Sequence, residues 1–210
     1  MPLKHKSAQR KYVRVKNGKF YLGKDFDNPF DELEGTVTSL HFKDEEYNGS
    51  PLRKLIIVLS DEEDNYQLSL NVESNTYSKV VSFLANVDLS KPITLVPMEE
   101  TLTKEGSPDV QKRTMLVSQD GKFAKSYFTK DEPHGLPRWD TVVVGKKKIA
   151  DKTAFIDFLE DFVNKTLVPR IQVDPTEVKS KVIPPSASEA EDNVEENVPE
   201  ETSQKMPWDD

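Results

Sequence analysis

A nine-residue run in the second half of the chain alternates aromatic and basic side chains. Lys122 to Lys130 reads KFAKSYFTK, and because side chains alternate along a β-strand, Phe123, Lys125 and Tyr127 would share one face. Rings on which bases stack, worth about 1–3 kcal/mol per base, together with cations that follow the phosphates, suit a single-stranded nucleic acid. The alternative is that both rings point into a hydrophobic core, where aromatic residues are most often found.

The same chemistry recurs near the N-terminus. Tyr12, Arg14 and Lys16 alternate in the first predicted strand, and Phe20 and Tyr21 follow across a turn. Two independent occurrences of the pattern favour nucleic-acid binding as its interpretation.

Loops supply further candidates. Trp139 follows Arg138 in a loop that contains Gly135 and Pro137, where a ring is either presented to a ligand or caps one end of the core. Tyr47 lies in a predicted loop between two strands, and two basic residues follow it. The predicted nucleic-acid contacts are Tyr12, Arg14, Lys16, Tyr47, Arg53, Lys54, Lys112, Arg113, Phe123, Lys125, Tyr127, Arg138 and Trp139.

The sequence contains no recognisable catalytic or metal-binding motif. Its eight glycines form neither a dinucleotide-binding nor a phosphate-loop motif, and no serine has the spacing of a nucleophile elbow. The three histidines are far apart, and the lack of cysteine excludes thiolate nucleophiles and cysteine-ligated zinc. The acidic run Asp61 to Asp64 lacks the spacing of a calcium loop and is interpreted as a solvated turn. We therefore expect a non-enzymatic protein without metal or cofactor.

All of the net charge lies in the last part of the chain. The 210 residues carry a formal charge of −8. Residues 1–173 hold 26 acidic and 26 basic residues, whereas residues 174–210 hold 11 acidic and 3 basic residues. The first 24 residues have eight basic and no acidic residues, and Lys112 to Lys152 has ten basic against five acidic residues. This distribution predicts a body with basic patches that attract a polyanion.

Residues 174–210 are predicted to form a disordered acidic tail. They are rich in Pro, Ser, Glu and Asn, and they show no apolar periodicity. A tethered polyanion competes with nucleic acid for a basic groove. The predicted partner-binding segment is its tip, Met206, Pro207, Trp208, Asp209 and Asp210; a chance aromatic on a solubilising tail is the alternative.

Membrane insertion and secretion are not expected. The mean hydropathy is −0.65, and no stretch approaches the roughly 18 consecutive apolar residues of a membrane span. Residues 1–23 are basic but lack the apolar centre of a signal peptide. We expect one globular domain, residues 1–173, in an intracellular protein.

Periodicity predicts strands interrupted by one short helix. Asn17-Gly18 favours a type I′ hairpin between the first two strands. Further strands are predicted at 35–43, 52–60, 66–72, 93–97, 113–118, 122–130 and 141–144. Apolar residues from Tyr77 to Leu84 have helical spacing behind an N-cap at Ser74 or Asn75. A second amphipathic helix is predicted from about residue 152 to residue 167.

This element order is typical of an OB-fold, a small five-stranded barrel with a helix between its third and fourth strands. The predicted fold class is all-β with minor helices: an OB-fold-like five-stranded barrel plus an N-terminal hairpin, additional strands and a C-terminal amphipathic helix. A two-sheet sandwich is the alternative, although it would not need the helix between Asn75 and Asn86. The N-terminal hairpin lies outside a minimal barrel and could be a DNA clamp, a cover for a sheet edge or a dimer element that builds a homo-oligomer.

Three segments carry a resemblance to a known family. YFTKDEPHGLPRWD (Tyr127 to Asp140), KNGKFYL (Lys16 to Leu22) and NVDLSKPITL (Asn86 to Leu95) are similar to segments of short single-stranded DNA-binding proteins of tailed bacteriophages. These are OB-fold proteins with a basic, aromatic-lined body and an acidic tail, and the resemblance covers nearly the whole chain. One departure lies at the tip, where Pro207-Trp208 precedes the last acids instead of following them.

The resemblance implies a non-catalytic protein that coats exposed single-stranded DNA during phage replication and recombination, in the cytoplasm of an infected bacterial host. It implies that the tail tip recruits replication or recombination proteins and that no cofactor is bound. Two alternatives stay open. One is an interaction adaptor or host-directed inhibitor that acts through its acidic tail, and the other is an RNA-binding chaperone that uses the same groove.

Overall fold

The computed structural model describes residues 10–24, 26–61, 63–102, 110–144 and 147–171. These residues are mostly β, with two helices. The strands are β1 (Arg10–Lys16), β2 (Lys19–Leu22), β3 (Leu33–Tyr47), β4 (Ser50–Ser60), β5 (Asn65–Asn71), β6 (Ile93–Leu102), β7 (Val110–Gln119), β8 (Lys122–Phe123), β9 (Asp140–Val144) and β10 (Lys147–Asp151). Helix α1 (Asn75–Leu84) lies between β5 and β6, and helix α2 (Thr153–Phe162) follows β10.

Eight of these strands form one mixed sheet that does not close into a barrel. Its order is β2-β1-β5-β4-β3-β6-β7-β8, and β1 and β5 are its parallel pair. A barrel of β3 to β7 would need β5 to pair with β7, but β1 occupies the edge of β5 that would do so. The predicted five-stranded barrel is therefore not formed by the described strands, and β9 and β10 make a separate two-stranded sheet.

The predicted hairpin at Asn17-Gly18 is confirmed. Asn17 has a φ of 49° and Gly18 a φ of 67°, the left-handed pair that a type I′ turn requires. A Cβ atom on Gly18 would lie 3.1 Å from the backbone nitrogen of Glu99, so the turn packs closely on β6. The hairpin thus pairs with β5 and touches the sheet again at β6.

The core lies between one side of the large sheet and the two helices; we call the other side of the sheet its outer face. Alternate residues of β4 from Leu55 to Leu59 point into the core and are fully buried. In β3 a β-bulge lies between Val37 and Ser39, and both Val37 and Leu40 are consequently buried. Phe42 packs half-buried against the same core.

Helix α1 begins where the sequence predicts. The Ser74 hydroxyl accepts a hydrogen bond from the backbone nitrogen of Tyr77 at 3.2 Å and so satisfies one of the unpaired N–H groups of the first turn. Tyr77, Val80, Val81 and Leu84 are fully buried in the core. The helical spacing of these residues is confirmed as the core-facing stripe.

The predicted strand from Lys122 to Lys130 is wrong beyond its second residue, because β8 ends at Phe123. The chain then runs along α1. The backbone nitrogen of Tyr127 donates to the carbonyl oxygen of Ser82 at 3.1 Å, and that of Phe128 donates to the Ser82 hydroxyl at 3.0 Å. Because these bonds to a helix replace a strand ladder, the side chains of this run do not alternate across a sheet.

Helix α2 carries the predicted apolar stripe. Phe155 and Leu159 are buried in the core. The helix continues through a wider π turn, Val163–Leu167, and a 3₁₀ turn, Val168–Arg170. The second amphipathic helix is therefore confirmed, with a changed winding in its last turns.

Candidate nucleic-acid interface

One side of the β1–β2 hairpin is basic and aromatic. Tyr12, Arg14 and Lys16 alternate along β1 on the outer face of the sheet. The register places Tyr21 opposite Arg14 and Lys19 opposite Lys16, and directly opposite residues of an antiparallel pair point to the same side. We call Tyr12, Arg14, Lys16, Lys19 and Tyr21 the hairpin face.

The inner side of the hairpin is held by the body. Val13 and Phe20 are buried in the core, and Phe20 exchanges two backbone hydrogen bonds of 2.8 Å with Phe30. Inward residues alternate with those of the hairpin face, so burial of one set keeps the other set outside. Tyr12 is accordingly 58% exposed.

Phe26 completes this surface and was missed by the sequence analysis. Its ring meets the Tyr21 ring edge-on, with centroids 5.1 Å apart. The Lys16 Nζ atom lies 4.7 Å from the Phe26 centroid, and the Arg14 guanidinium carbon lies 6.0 Å from it, both within cation–π range. Phe26 belongs to the loop after β2, where no periodicity reveals which way a ring points.

The hairpin face continues across the outer face of the sheet towards His41 of β3. Tyr12 lies opposite Gln67 of β5, and outer-face positions lead on through β4 to His41 in β3. The pKa of His41 is lowered, first by burial and then by the cations of Arg10 and Lys43. Arg10 of β1 and Lys43 of β3 are thus close enough to the His41 imidazole to oppose its protonation.

Arg53 and Lys54 of the predicted site form ion pairs with carboxylates of the protein itself. The Arg53 Nε atom lies 2.9 Å from both carboxylate oxygens of Glu160, and its Nη1 atom lies 2.6 and 2.7 Å from those of Asp44. The Lys54 Nζ atom lies 2.8 Å from Glu45, and the Lys54 side chain is only 14% exposed. Cations already neutralised by carboxylates attract a phosphate weakly, so we leave both out of the interface.

Three further predicted contacts lie away from the hairpin face. Tyr47 ends β3 beside the two-residue turn to β4 and is half-buried. Arg113 of β7 points to the core side, where its Nε atom lies 3.5 Å from Glu99 of β6. Lys112 is exposed on β7, opposite Glu100. These contacts stay predictions.

Tyr127 and Trp139 pack as structural rings against α2. Tyr127 stacks on His134 at a centroid distance of 4.1 Å and lies 5.6 Å from Phe162. Trp139 meets Phe155 edge-on at 5.7 Å. Both rings are half-buried, which favours the core interpretation raised for each of them. Arg138, between these contacts, is exposed.

Phe123 and Lys125 point to solvent at the far edge of the sheet. Phe123 of β8 lies opposite Ser118 of β7 and is 63% exposed. Lys125 is exposed just after β8. The structure therefore separates Phe123 from Tyr127, with which the sequence analysis had grouped it.

In the described part of the chain, no group of three or more His, Asp or Glu residues is arranged to hold a metal ion. No helix in the described ranges is both long and apolar enough to cross a membrane. The predicted partner-binding tip, Met206 to Asp210, lies outside the described residues.

No protein-family model matches the chain. No curated protein is significantly similar to it. The hairpin face together with Phe26 offers three exposed or half-exposed rings, Tyr12, Tyr21 and Phe26. It also offers the cations Arg14 and Lys16, whereas Lys19 pairs with Asp31. Such a surface can stack bases and attract phosphates.

Proposed function

We propose that this protein is a non-catalytic single-stranded DNA-binding protein and that its main contact surface is the hairpin face together with Phe26. The single observation that supports this most strongly is the cluster of Arg14, Lys16, Tyr21 and Phe26 within cation–π and ring-contact distances. Rings and cations on one surface are the two components that single-strand binding requires.

Exposure argues for a binding role and against a structural one. Phe20 of the same hairpin is 2% exposed, whereas Tyr12 is 58% and Phe26 is 42% exposed. Among the described residues, Lys19 at the rim of the hairpin face pairs with the carboxylate of Asp31, and no described carboxylate forms an ion pair with Arg14 or Lys16. Arg14 and Lys16 are therefore available to phosphates.

The element order supports an opened OB-like arrangement as part of this proposal. Strands β3, β4 and β5, helix α1 and strands β6 and β7 follow each other as in an OB-fold, and β3 pairs with β6 as well as β4. In the arrangement that we propose, β1 of the hairpin pairs with the edge of β5 that would pair with β7 in a closed barrel. The hairpin then enlarges the sheet surface available to a single strand.

The acidic segment 174–210 completes the proposed function. We infer that it competes with DNA for the basic surface and that its tip recruits replication or recombination proteins, as the charge distribution and the phage resemblance suggest. Coating of exposed strands, rather than a reaction on them, is the activity proposed.

The test is a titration of the full chain with oligo-dT at several salt concentrations. Binding should weaken steeply with salt, because phosphate contacts release counterions. Lys16→Gln should reduce the slope of log K against log salt by about 0.7, the value for one phosphate contact on a single strand. The matched control is Lys165→Gln. Lys165 is an exposed lysine in the turn after α2 and pairs with Asp161 of that helix, so its removal should leave the slope unchanged. Absence of salt-sensitive binding by the full chain would rule out the proposed function.

A further inference from the structure

We infer that the chain makes a second, separate contact with the same single strand through Phe123, in an open depression at the β8 edge of the sheet. This inference rests on the proposed function. The depression has a volume of about 410 Å³. Phe123, Lys122 and Lys125 line it, and Phe123 is 63% exposed.

The backbone at Phe123 is held on both sides. Asp120, with a φ of 51°, and Gly121, with a φ of 73°, form the tight turn before it. Directly after it, the backbone nitrogen of Ala124 donates to the carbonyl oxygen of Val117 at 2.8 Å. A ligand that stacks on the ring therefore has to restrict only the two side-chain torsions of Phe123 and no backbone.

Two polar side chains of the depression are hydrogen-bonded within the protein. The Gln119 side chain donates to the carbonyl oxygen of Asp88 at 2.8 Å and accepts from the backbone nitrogen of Asp88 at 2.9 Å. The Asn86 side-chain amide donates to the carbonyl oxygen of Lys125 at 2.9 Å. The depression therefore offers a ligand the Phe123 ring, two lysine ammonium groups and the carboxylate of Asp120.

A nucleobase with its flanking phosphates fits this combination. A single exposed ring between two lysines provides one stacking platform and two cations, which is the unit that repeats along single-strand-binding surfaces. Asp120 is the one acidic residue among those lining the depression, so the local charge is positive. The other residues around Phe123 are mostly polar, so the depression lacks the contiguous apolar patch that marks many protein–protein contacts.

The depression is too far from the hairpin face for one nucleotide to reach both. The hairpin turn packs on Glu99 of β6, whereas Phe123 lies opposite Ser118 of β7, which pairs with Thr94 near the start of β6. Five residues along β6 and two strand-to-strand steps separate these places, a distance on the order of 20 Å. Short oligonucleotides should therefore occupy one contact, and longer ones should engage both.

The experiment is photo-crosslinking of the full chain to oligonucleotides that carry 5-iodo-deoxyuridine, followed by peptide mapping. Crosslinks at Phe123 and at Tyr12, Tyr21 or Phe26 are the expected result. Crosslinks only at the hairpin face would overturn the inference and keep the proposed function. Crosslinks only at Phe123 would keep the second contact and overturn the assignment of the main surface. No crosslinks and no binding would overturn both.

Substitutions separate stacking from mere apolar contact. Phe123→Leu keeps an apolar side chain without a π face and should weaken binding of a long oligo-dT by about 5-fold to about 150-fold, the equivalent of about 1–3 kcal/mol for one stacked base. Phe123→Trp should bind at least as tightly as the unaltered chain. Val143→Ala, at another exposed apolar side chain of a strand, is the control. Equal affinity of the Leu and Trp variants would overturn the inference.

Discussion

Arg53 and Glu160 are 107 residues apart in the chain, yet the Arg53 Nε atom lies 2.9 Å from both carboxylate oxygens of Glu160. The same guanidinium group binds Asp44 and lies 5.2 Å from the Phe42 ring. It thereby joins the β3–β4 hairpin to α2. Hydrogen bonding to Asp44, opposed by burial and reinforced by Glu160, raises the pKa of Arg53.

Loss of this link should destabilise the fold and leave DNA binding unchanged. Arg53→Met removes the charge-assisted hydrogen bonds to Glu160, and we expect the free energy of unfolding to fall by about 1–3 kcal/mol, the lower part applying if solvent screens the pair. Urea unfolding of the variant measures this change. A variant of full stability that has lost oligo-dT affinity would show that Arg53 is a phosphate contact after all.

Gly18 should be less tolerant of alanine than Gly49. Both have positive φ, 67° and 76°, so alanine costs about 1–2 kcal/mol at either position. At Gly18 the added methyl group would also lie 3.1 Å from the backbone of Glu99, whereas Gly49 has nothing within 4 Å. Gly18→Ala should therefore reduce the free energy of unfolding by about 1 kcal/mol more than Gly49→Ala. Equal losses would mean that the turn does not pack on β6.

Ser82→Ala should loosen the segment that follows β8. The Ser82 hydroxyl accepts from the backbone nitrogen of Phe128 at 3.0 Å and lies 2.7 Å from the Ser126 hydroxyl. Without it, a buried N–H group has no partner, which costs about 1–3 kcal/mol. Thermal or urea unfolding measures the loss, and faster hydrogen exchange at the Phe128 amide should accompany it. Unchanged exchange at that amide would contradict the role given to Ser82.

The pKa of His41 should change both on folding and on DNA binding. Its pKa in the folded protein is lowered by burial and by Arg10 and Lys43, so the unfolded chain binds the proton more readily. His41 therefore contributes stability above its ordinary pKa of about 6.5, and this contribution is lost as the pH falls below that value.

Phosphates bound on the outer face should raise the pKa of His41. An NMR titration of His41 with and without oligo-dT tests this, and an unchanged value would place the strand elsewhere.

Local patterns predicted the elements better than the site. Asn17-Gly18 and the helical spacing from Tyr77 to Leu84 depend on neighbours in sequence, and both are confirmed. The run from Lys122 to Lys130 has an alternating pattern but contacts Ser82 of a helix instead of a strand. Nothing within the run encodes that distant partner. Its alternation therefore predicted a strand as far as Lys130, whereas β8 ends at Phe123.

The candidate site was also predicted only in part, because some of its contacts depend on residues distant in sequence. Tyr12, Arg14 and Lys16 could be grouped because they share a strand, and the structure keeps them on one face. Phe26 reaches that face from a loop, and Arg53 is diverted by Glu160, more than a hundred residues away. Sequence spacing reveals which residues share an element, but not which charges or rings a distant element brings beside them.

The parallel pairing of β1 with β5 also sets the order in which the proposed interface can form during synthesis. Arg10 is paired with Asn65, so β1 leaves the ribosome well before the strand against which it packs. The hairpin itself closes locally, but its fixed position on the sheet depends on a contact distant in sequence, which forms slowly. A nascent chain that has not yet completed β5 therefore presents the rings and cations of the hairpin face without the sheet that fixes their direction.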